Sequence, residues 1–170
     1  MSLKQLWAPW RMEFLTSAKG EKGDSGCVFC VLPSENRDRE NLILHRGSRN
    51  FVIMNKYPYN NGHLMVVPNL HLSSLSKLPD EDLGEMMQLT KAATEILHEA
   101  YQPEGYNVGM NLGVSGGAGI KDHLHMHIVP RWLGDTNFMP VLAEAKAMPQ
   151  HLEASYDQLH PLFRRLKKSL

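Results

Sequence analysis

Three histidines alternate with apolar residues in the segment His123-Leu124-His125-Met126-His127. An alternation of period two is typical of a β-strand with one polar and one apolar face, so the three imidazoles are predicted to share a face. Alternate residues lie roughly 6.6 Å apart along a strand and residues four apart about 13 Å, so one metal ion cannot bind all three. A half-buried strand that carries histidine on its exposed side by chance is the alternative. Three titratable groups clustered on one face favour a functional site.

The same kind of pattern predicts the remaining elements. Short apolar runs predict four more strands, which form an antiparallel sheet with the histidine strand. Apolar residues three and four apart predict a long amphipathic helix that begins with Pro79 at its first position and ends near Pro103. We therefore expect an α+β fold with a five-stranded antiparallel sheet and flanking helices. The four further strands are predicted at residues 42–45, 51–54, 63–68 and 107–112.

Both ends of the chain are expected to lie outside this sheet. Residues 1–24 hold Trp7 and Trp10 and then a glycine-rich linker, which predicts an N-terminal arm. Residues from about 140 to 170 have a helical composition and predict a C-terminal extension of one domain that spans residues 1–170. Its expected buried residues are Leu142, Ala145, Leu152, Tyr156, Leu159, Leu162 and Leu166.

Composition limits the classes of partner. The formal net charge is zero, which argues against a nucleic-acid polymer or a membrane surface as the partner. No apolar run approaches 18 residues and the N-terminus lacks a secretory signal pattern, so a cytoplasmic location is expected.

A glycine-rich segment at residues 113–120 precedes the histidines. A backbone with few side chains can approach a ligand closely and aim N–H groups at an anion, although a flexible hairpin loop has the same composition. A neutral imidazole with a fixed tautomer is a competent nucleophile toward phosphorus, and a second imidazole can bind the phosphate oxygens. The pair His125 and His127 beside this loop therefore predicts phosphoryl or nucleotidyl transfer.

Two cysteines, Cys27 and Cys30, leave three interpretations open. They are too few for a secreted disulfide scaffold. A redox-active pair would open a helix after a strand, and the glycine linker and Pro33 argue against this. Two ordinary buried cysteines are the second interpretation. A zinc site is the third, and it requires two further ligands.

Residues 123–129 resemble the signature of the histidine triad (HIT) superfamily, in which three histidines alternate with other residues before an apolar stretch. Further similarity covers residues 60–68, His71, residues 105–111 and the glycine-rich segment. Within the superfamily, residues 6–11, 118–120 and 130–138 most resemble the bacterial diadenosine tetraphosphate phosphorylases. This resemblance implies a HIT-like fold.

The resemblance also implies residue roles. His125 would attack the α-phosphate of a nucleotide and form a covalent nucleotidyl-histidine intermediate. Water would then release a mononucleotide, or inorganic phosphate would release a nucleoside diphosphate.

 The resemblance also implies contacts with the nucleotide. His127 would bind the phosphate, and Asn111 and the backbone of Gly117 and Gly119 would line the phosphate site. Asn55 would lie next to the ribose. Many relatives carry a glutamine before the triad where this chain has residues 118–120, and this departure favours phosphorolysis over hydrolysis.

Related triad proteins pair a similar Cys-x-x-Cys with two histidines at a zinc site. By that resemblance Cys27, Cys30, His71 and His123 would hold a structural zinc, and no organic cofactor is expected. The resemblance further implies a nucleotide substrate, with adenine as the expected base, and a homodimer.

Two other functions remain open from the sequence. A metal-dependent hydrolase could use the His-x-His pair as ligands with an open coordination position. A nucleotide-binding protein without significant turnover is the second alternative.

Overall fold

The computed structural model describes residues 26–135 and 150–166. The predicted N-terminal arm, with Trp7 and Trp10, lies outside the described residues, as do Leu142 and Ala145 of the predicted extension. Among the described residues, no helix combines the length and the apolar character that crossing a bilayer requires.

The described residues form three α-helices and five strands. Helix α1 lies near the start of the described chain, helix α2 lies between the third and fourth strands, and helix α3 follows the sheet. Their bounds are α1 Val28–Ser34, β1 Ile43–Arg46, β2 Asn50–Met54, β3 Leu64–Pro68, α2 Asp80–Tyr101, β4 Gly105–Gly109, β5 Met126–Arg131 and α3 Leu152–Phe163.

The strands form one antiparallel sheet in the order β1-β2-β3-β5-β4. This confirms the predicted α+β class and the five-stranded antiparallel sheet. Every residue of β2 and β3 is buried, which is expected when both faces of a sheet are covered. The register opposes Met65 of β3 to His127 of β5, and Gly109 of β4 to the same histidine.

Alternate residues of the strands pack into two separate apolar clusters, one on each face of the sheet. The α2 face is covered by α2 and α3, and its cluster includes Val52, Val66, Leu89 and Leu159. The α1 face is covered by Phe29 of α1, and its cluster adds Ile43, Phe51, Ile53, Met65 and Val67. The triad segment follows the same alternation, because Leu124 and Ile128 belong to the cluster of the α2 face.

Helix α2 agrees with its predicted span, with one difference at its start. Pro79 is the N-cap residue rather than the first helical residue. The helix ends at Tyr101, and the left-handed backbone of its C-cap residue Gln102 (φ 47°) stops the hydrogen-bond ladder directly before Pro103. Of the predicted buried residues in the C-terminal extension, Tyr156 and Leu159 are buried, and Leu152, Leu162 and Leu166 pack partly buried against the same core.

Two strand predictions are corrected by the structure. The strand expected at residues 107–112 is Gly105–Gly109, and the chain after it turns into the glycine-rich segment. The triad strand begins only at Met126, so His123 and His125 precede it. The backbone there is held by other segments, since the Leu124 N–H donates to the Leu72 carbonyl at 2.7 Å instead of to a strand.

Candidate active site

The imidazoles of His125 and His127 lie next to each other, with ring centroids 4.8 Å apart and a T-shaped arrangement. Both side chains point away from the α2 face, as the alternation with Leu124 and Ile128 requires. The predicted proximity of the two histidines is therefore present, with His127 inside β5 and His125 just before it.

His125 has one ring nitrogen committed to the backbone. Its Nδ1 lies 2.9 Å from the His123 carbonyl oxygen, and because a carbonyl only accepts, Nδ1 must carry the proton. Nε2 then keeps its lone pair. Burial lowers the pKa of His125, against the opposing effect of the hydrogen bond to His123, so the neutral form is favoured. A neutral imidazole with a fixed tautomer is the form that attacks phosphorus.

His127 is oriented by a second histidine, His63. The Tyr59 backbone N–H donates to His63 Nδ1 at 3.0 Å, so the proton of neutral His63 sits on Nε2. That Nε2 lies 2.9 Å from His127 Nδ1 and donates to it. His127 therefore presents an N–H at its own Nε2, which can donate a hydrogen bond to a phosphate oxygen.

Burial, together with the neighbouring His125, lowers the pKa of His127 to about 4. His127 is thus neutral near pH 7 in the free protein and offers a hydrogen bond rather than a full positive charge. A bound phosphate would raise this pKa, because a nearby anion favours the protonated form.

This shift predicts that the free energy of unfolding falls as the pH drops from about 6.5 towards 4. The unfolded chain binds a proton near pH 6.5, whereas folded His127 resists it until about pH 4, so protons favour the unfolded state in that window. Above pH 6.5 the effect is absent. His127 is partly exposed, and we expect a discounted contribution of about 1–2 kcal/mol.

Urea unfolding of the wild type and of His127→Gln at pH 7 and pH 5 measures this contribution. The wild type should lose more free energy of unfolding between the two pH values than the variant does. The lowered pKa values of His45, His123 and His125 act in both proteins and cancel in the difference. An identical pH dependence in both proteins would contradict the assignment to His127.

A cleft of about 430 Å³ opens beside His127, between the β4–β5 edge and the loop that carries Tyr59. Asn111 also lines this cleft. Its side-chain N–H donates to the Gly117 carbonyl at 3.5 Å, so it is tied to the glycine-rich segment. The cleft is open enough to admit a ligand to the side of the sheet where His127 lies.

The glycine-rich segment forms a compact turn in this structure. Gly113 and Gly117 have positive φ angles (71° and 83°), which side chains other than glycine rarely adopt. The Gly117 N–H donates to the Val114 carbonyl at 3.0 Å, and the neighbouring Gly119 is exposed. The phosphate contacts predicted for Gly117 and Gly119 stay predictions, and the one from Gly117 would require its N–H to change partner.

Asn55 is tied to the His63 network. Its Oδ1 accepts from the Tyr57 N–H at 2.9 Å, and its Nδ2 lies 3.4 Å from His63 Nδ1. Asn55 therefore helps to hold the histidine that orients His127. The ribose contact predicted for it stays a prediction.

The other predicted site brings together Cys27, Cys30, His71 and His123. Their four ligand atoms all lie within 4.8 Å of one another. Cys27 Sγ and Cys30 Sγ lie 3.4 and 3.6 Å from His123 Nδ1, and Cys30 Sγ lies 3.4 Å from His71 Nδ1. Ligands bound tetrahedrally to zinc at about 2.0–2.3 Å are separated by roughly 3.3–3.8 Å, so the three sulfur–nitrogen separations fit the ion.

Proton positions agree with a metal centre. His123 Nε2 lies 2.8 Å from the Pro68 carbonyl and must donate to it, which leaves the Nδ1 lone pair facing the two sulfurs. Burial and the adjacent Cys27 raise the pKa of the Cys30 thiol. A bound cation would reverse that effect, because it stabilises thiolates.

Pro33 does not prevent a helix at the cysteines, contrary to the expectation from the sequence. Cys27 is the N-cap of helix α1, and Pro33 lies inside that helix. The pair therefore does open a helix, as a redox pair would. The presence of His71 and His123 at the same sulfurs favours the metal interpretation over a simple dithiol.

Two residues that matter for the geometry were not assigned a role from the sequence. His63 precedes β3 and reaches His127 because β3 pairs with β5. Phe29 lies between the two cysteines and contacts the rings of both His123 and His125. In the sequence, Asn61 and Gly62 indicated a turn before His63 but no role for the histidine. Nothing in the local sequence indicated that Phe29 contacts the triad.

Comparison with known proteins gives a family match and several similar relatives. The model of the HIT domain matches residues 37–132. The AP-4-A phosphorylase of Mycobacterium tuberculosis is 39% identical over 155 residues, which cover 88% of this chain and 79% of that protein.

Solved structures have the same fold. A Zn-bound histidine triad family protein from Mycobacterium smegmatis superposes with a TM-score of 0.67 at 23% identity, covering 84% of this chain and 96% of that one. A hypothetical histidine triad nucleotide-binding protein from Sulfolobus tokodaii gives a TM-score of 0.64 at 25% identity, covering 82% of this chain and 90% of that one.

Proposed function

The chain belongs to the HIT domain family, and from this membership we propose that it is an enzyme that transfers or hydrolyses nucleotidyl groups through His125. The observation that carries the proposal is the hydrogen bond from His125 Nδ1 to the His123 carbonyl, which leaves Nε2 unprotonated beside the N–H of His127. A nucleophile and a phosphate-binding donor are thereby held side by side.

In the proposed reaction, His125 Nε2 attacks the α-phosphorus of the nucleotide. A P–N bond forms and the P–O bond to the leaving phosphate chain breaks, which carries the electron pair away. The Nε2–H of His127 donates a hydrogen bond to the phosphate oxygens as charge develops on them. Water or inorganic phosphate then breaks the P–N bond and restores His125.

Phosphorolysis of a dinucleoside polyphosphate, with adenine as the base, is the form of the reaction that we favour. The 39% identical relative is an AP-4-A phosphorylase. In addition, this chain has Ala118, Gly119 and Ile120 at the positions before the triad where many triad proteins carry a glutamine. A phosphate nucleophile would release a nucleoside diphosphate, whereas water would release a mononucleotide.

Incubation with diadenosine tetraphosphate in the presence and absence of inorganic phosphate tests this form. We expect ADP and ATP in equal amounts when phosphate is present, and no ADP without it. AMP formation at a rate independent of phosphate would indicate a hydrolase instead. Binding of the dinucleotide without any product would support the alternative of a nucleotide-binding protein.

A structural zinc at Cys27, Cys30, His71 and His123 is part of the proposal. Four protein ligands close the coordination sphere, so the ion would hold three chain segments together and supply no reacting group. Among the described residues, this is the group of cysteines, histidines and carboxylates that could hold a metal, and it excludes His125 and His127. That exclusion weighs against a metal-dependent hydrolase built on the His-x-His pair.

The whole chain, residues 1–170, is proposed to form one domain. The family match contains all five strands, while α3 packs on the same core from outside it. A homodimer is also proposed, and the free side of the edge strand β4, where Val108 is 45% exposed, supports it. The mass of the protein in solution tests the dimer.

The two free cysteines suit a reducing compartment and support a cytoplasmic location.

A further inference from the structure

Phe29 lies between the two cysteines and faces the triad. Its side chain is buried, with 4% of its surface exposed. The ring centroid lies 5.5 Å from that of His123 in a T-shaped arrangement and 5.2 Å from that of His125. One side chain thus touches both a metal-binding histidine and the proposed nucleophile.

His125 needs such a contact because its hydrogen bond leaves the ring free to tilt. The bond from Nδ1 to the His123 carbonyl fixes the tautomer and one atom of the ring. The direction of Nε2 depends on what packs against the ring, and among the described aromatic rings those of His127 and Phe29 do so, with centroid distances of 4.8 and 5.2 Å. A displacement of about 1 Å in a nucleophile can cost on the order of 100-fold in rate.

The position of Phe29 is in turn set by the cysteines on either side of it. Cys27 caps helix α1, and its carbonyl accepts the Cys30 N–H at 2.9 Å, which closes the turn that contains Phe29. Both sulfurs lie against His123 Nδ1. Any ordering of Cys27 and Cys30 around an ion therefore also orders Phe29.

We propose that Phe29 is a positioning residue, which holds the His125 ring in its attacking orientation and connects it to the Cys27, Cys30, His71 and His123 centre. The inference rests on the proposed function, because it takes His125 as the nucleophile. It adds a residue outside the triad and outside the segment that matches the family.

The test compares Phe29→Leu with a matched control, Phe51→Leu. Phe51 is 1% exposed and belongs to the same apolar cluster, and the described ring contacts of His123 and His125 include Phe29 and not Phe51. Both variants lose the same atoms from the same face of the sheet. Five quantities are measured: kcat and KM with diadenosine tetraphosphate, the melting temperature, the zinc content and the NMR signals of the His125 ring nitrogens.

For Phe29→Leu we expect kcat to fall about tenfold or more, KM to change less than threefold and the zinc content to stay at that of the wild type. The ring nitrogens of His125 should give broadened or multiple signals. For Phe51→Leu we expect a similar fall in melting temperature, kcat within about twofold of the wild type and unchanged His125 signals.

Equal losses of kcat in the two variants, with unchanged His125 signals in both, would overturn the inference. If Phe29→Leu does not fold, Phe29→Met keeps more of the volume and is expected to show the same selective loss of kcat. His125→Ala separates this inference from the proposed function: full activity in that variant would refute the nucleophile itself, whereas an inactive His125→Ala with a fully active Phe29→Leu would refute the positioning role alone.

Discussion

Replacing His125 with alanine is expected to lower kcat by about 10,000-fold or more, because the variant lacks the nitrogen that forms the covalent bond to phosphorus. The fold should survive. The substitution removes one buried ring and leaves the His123 carbonyl without its partner, which we expect to cost about 1–3 kcal/mol of unfolding free energy. Steady-state kinetics and a thermal unfolding curve measure both effects.

His45→Ala is the matched control for this variant. His45 is also a partly buried histidine of the sheet, but it lies in β1, at the opposite side of the sheet from β5 and β4. Its replacement should leave kcat within about twofold while it changes the stability by a similar amount. An active His125→Ala, or an equally inactive His45→Ala, would contradict the assignment of the nucleophile.

Loss of the metal centre is the second large effect that we expect. Cys30→Ser should lose bound zinc and at least about 3 kcal/mol of unfolding free energy, because a structural ion contributes its binding energy to the folded state. The ion would connect helix α1, the His71 loop and the start of the triad segment, so its loss releases all three. Elemental analysis and chemical unfolding measure the two changes.

Treatment with a chelator and two further histidine variants provide the controls for the loss of zinc. His71→Asn should behave like Cys30→Ser, whereas His98→Asn, on the exposed surface of α2, should keep both the zinc and the stability. Treatment of the wild type with a chelator should bring its stability down towards that of Cys30→Ser. Zinc retained in Cys30→Ser, or a wild type that never contains zinc, would disprove the proposed centre.

The sequence predicted the elements that depend on local periodicity. The alternation around His125 placed the histidines and Leu124 on different faces, and the 3–4 spacing found α2 to within a few residues. The strand β4 was misplaced because two of its five residues are glycines, which carry no strand preference. Helix α1 was missed because it has only seven residues and contains Pro33.

The candidate site was predictable only in part, because some of its contacts join residues that are far apart in the sequence. His125 and His127 are neighbours in sequence, and the metal set followed from the family resemblance. The contacts of His63 and Phe29 depend on long-range packing: His63 reaches His127 through the pairing of β3 with β5, and Phe29 reaches His125 from a helix almost a hundred residues earlier. No local pattern encodes such contacts.

The covalent intermediate gives the most direct test of the central claim. The protein is mixed with diadenosine tetraphosphate without inorganic phosphate, quenched with denaturant at neutral or basic pH, digested, and mapped by mass spectrometry. The proposed function predicts a nucleotidyl group on the nitrogen of His125 in the wild type and no adduct in His125→Ala. An adduct on another residue, or turnover by the wild type through no covalent intermediate, would contradict it.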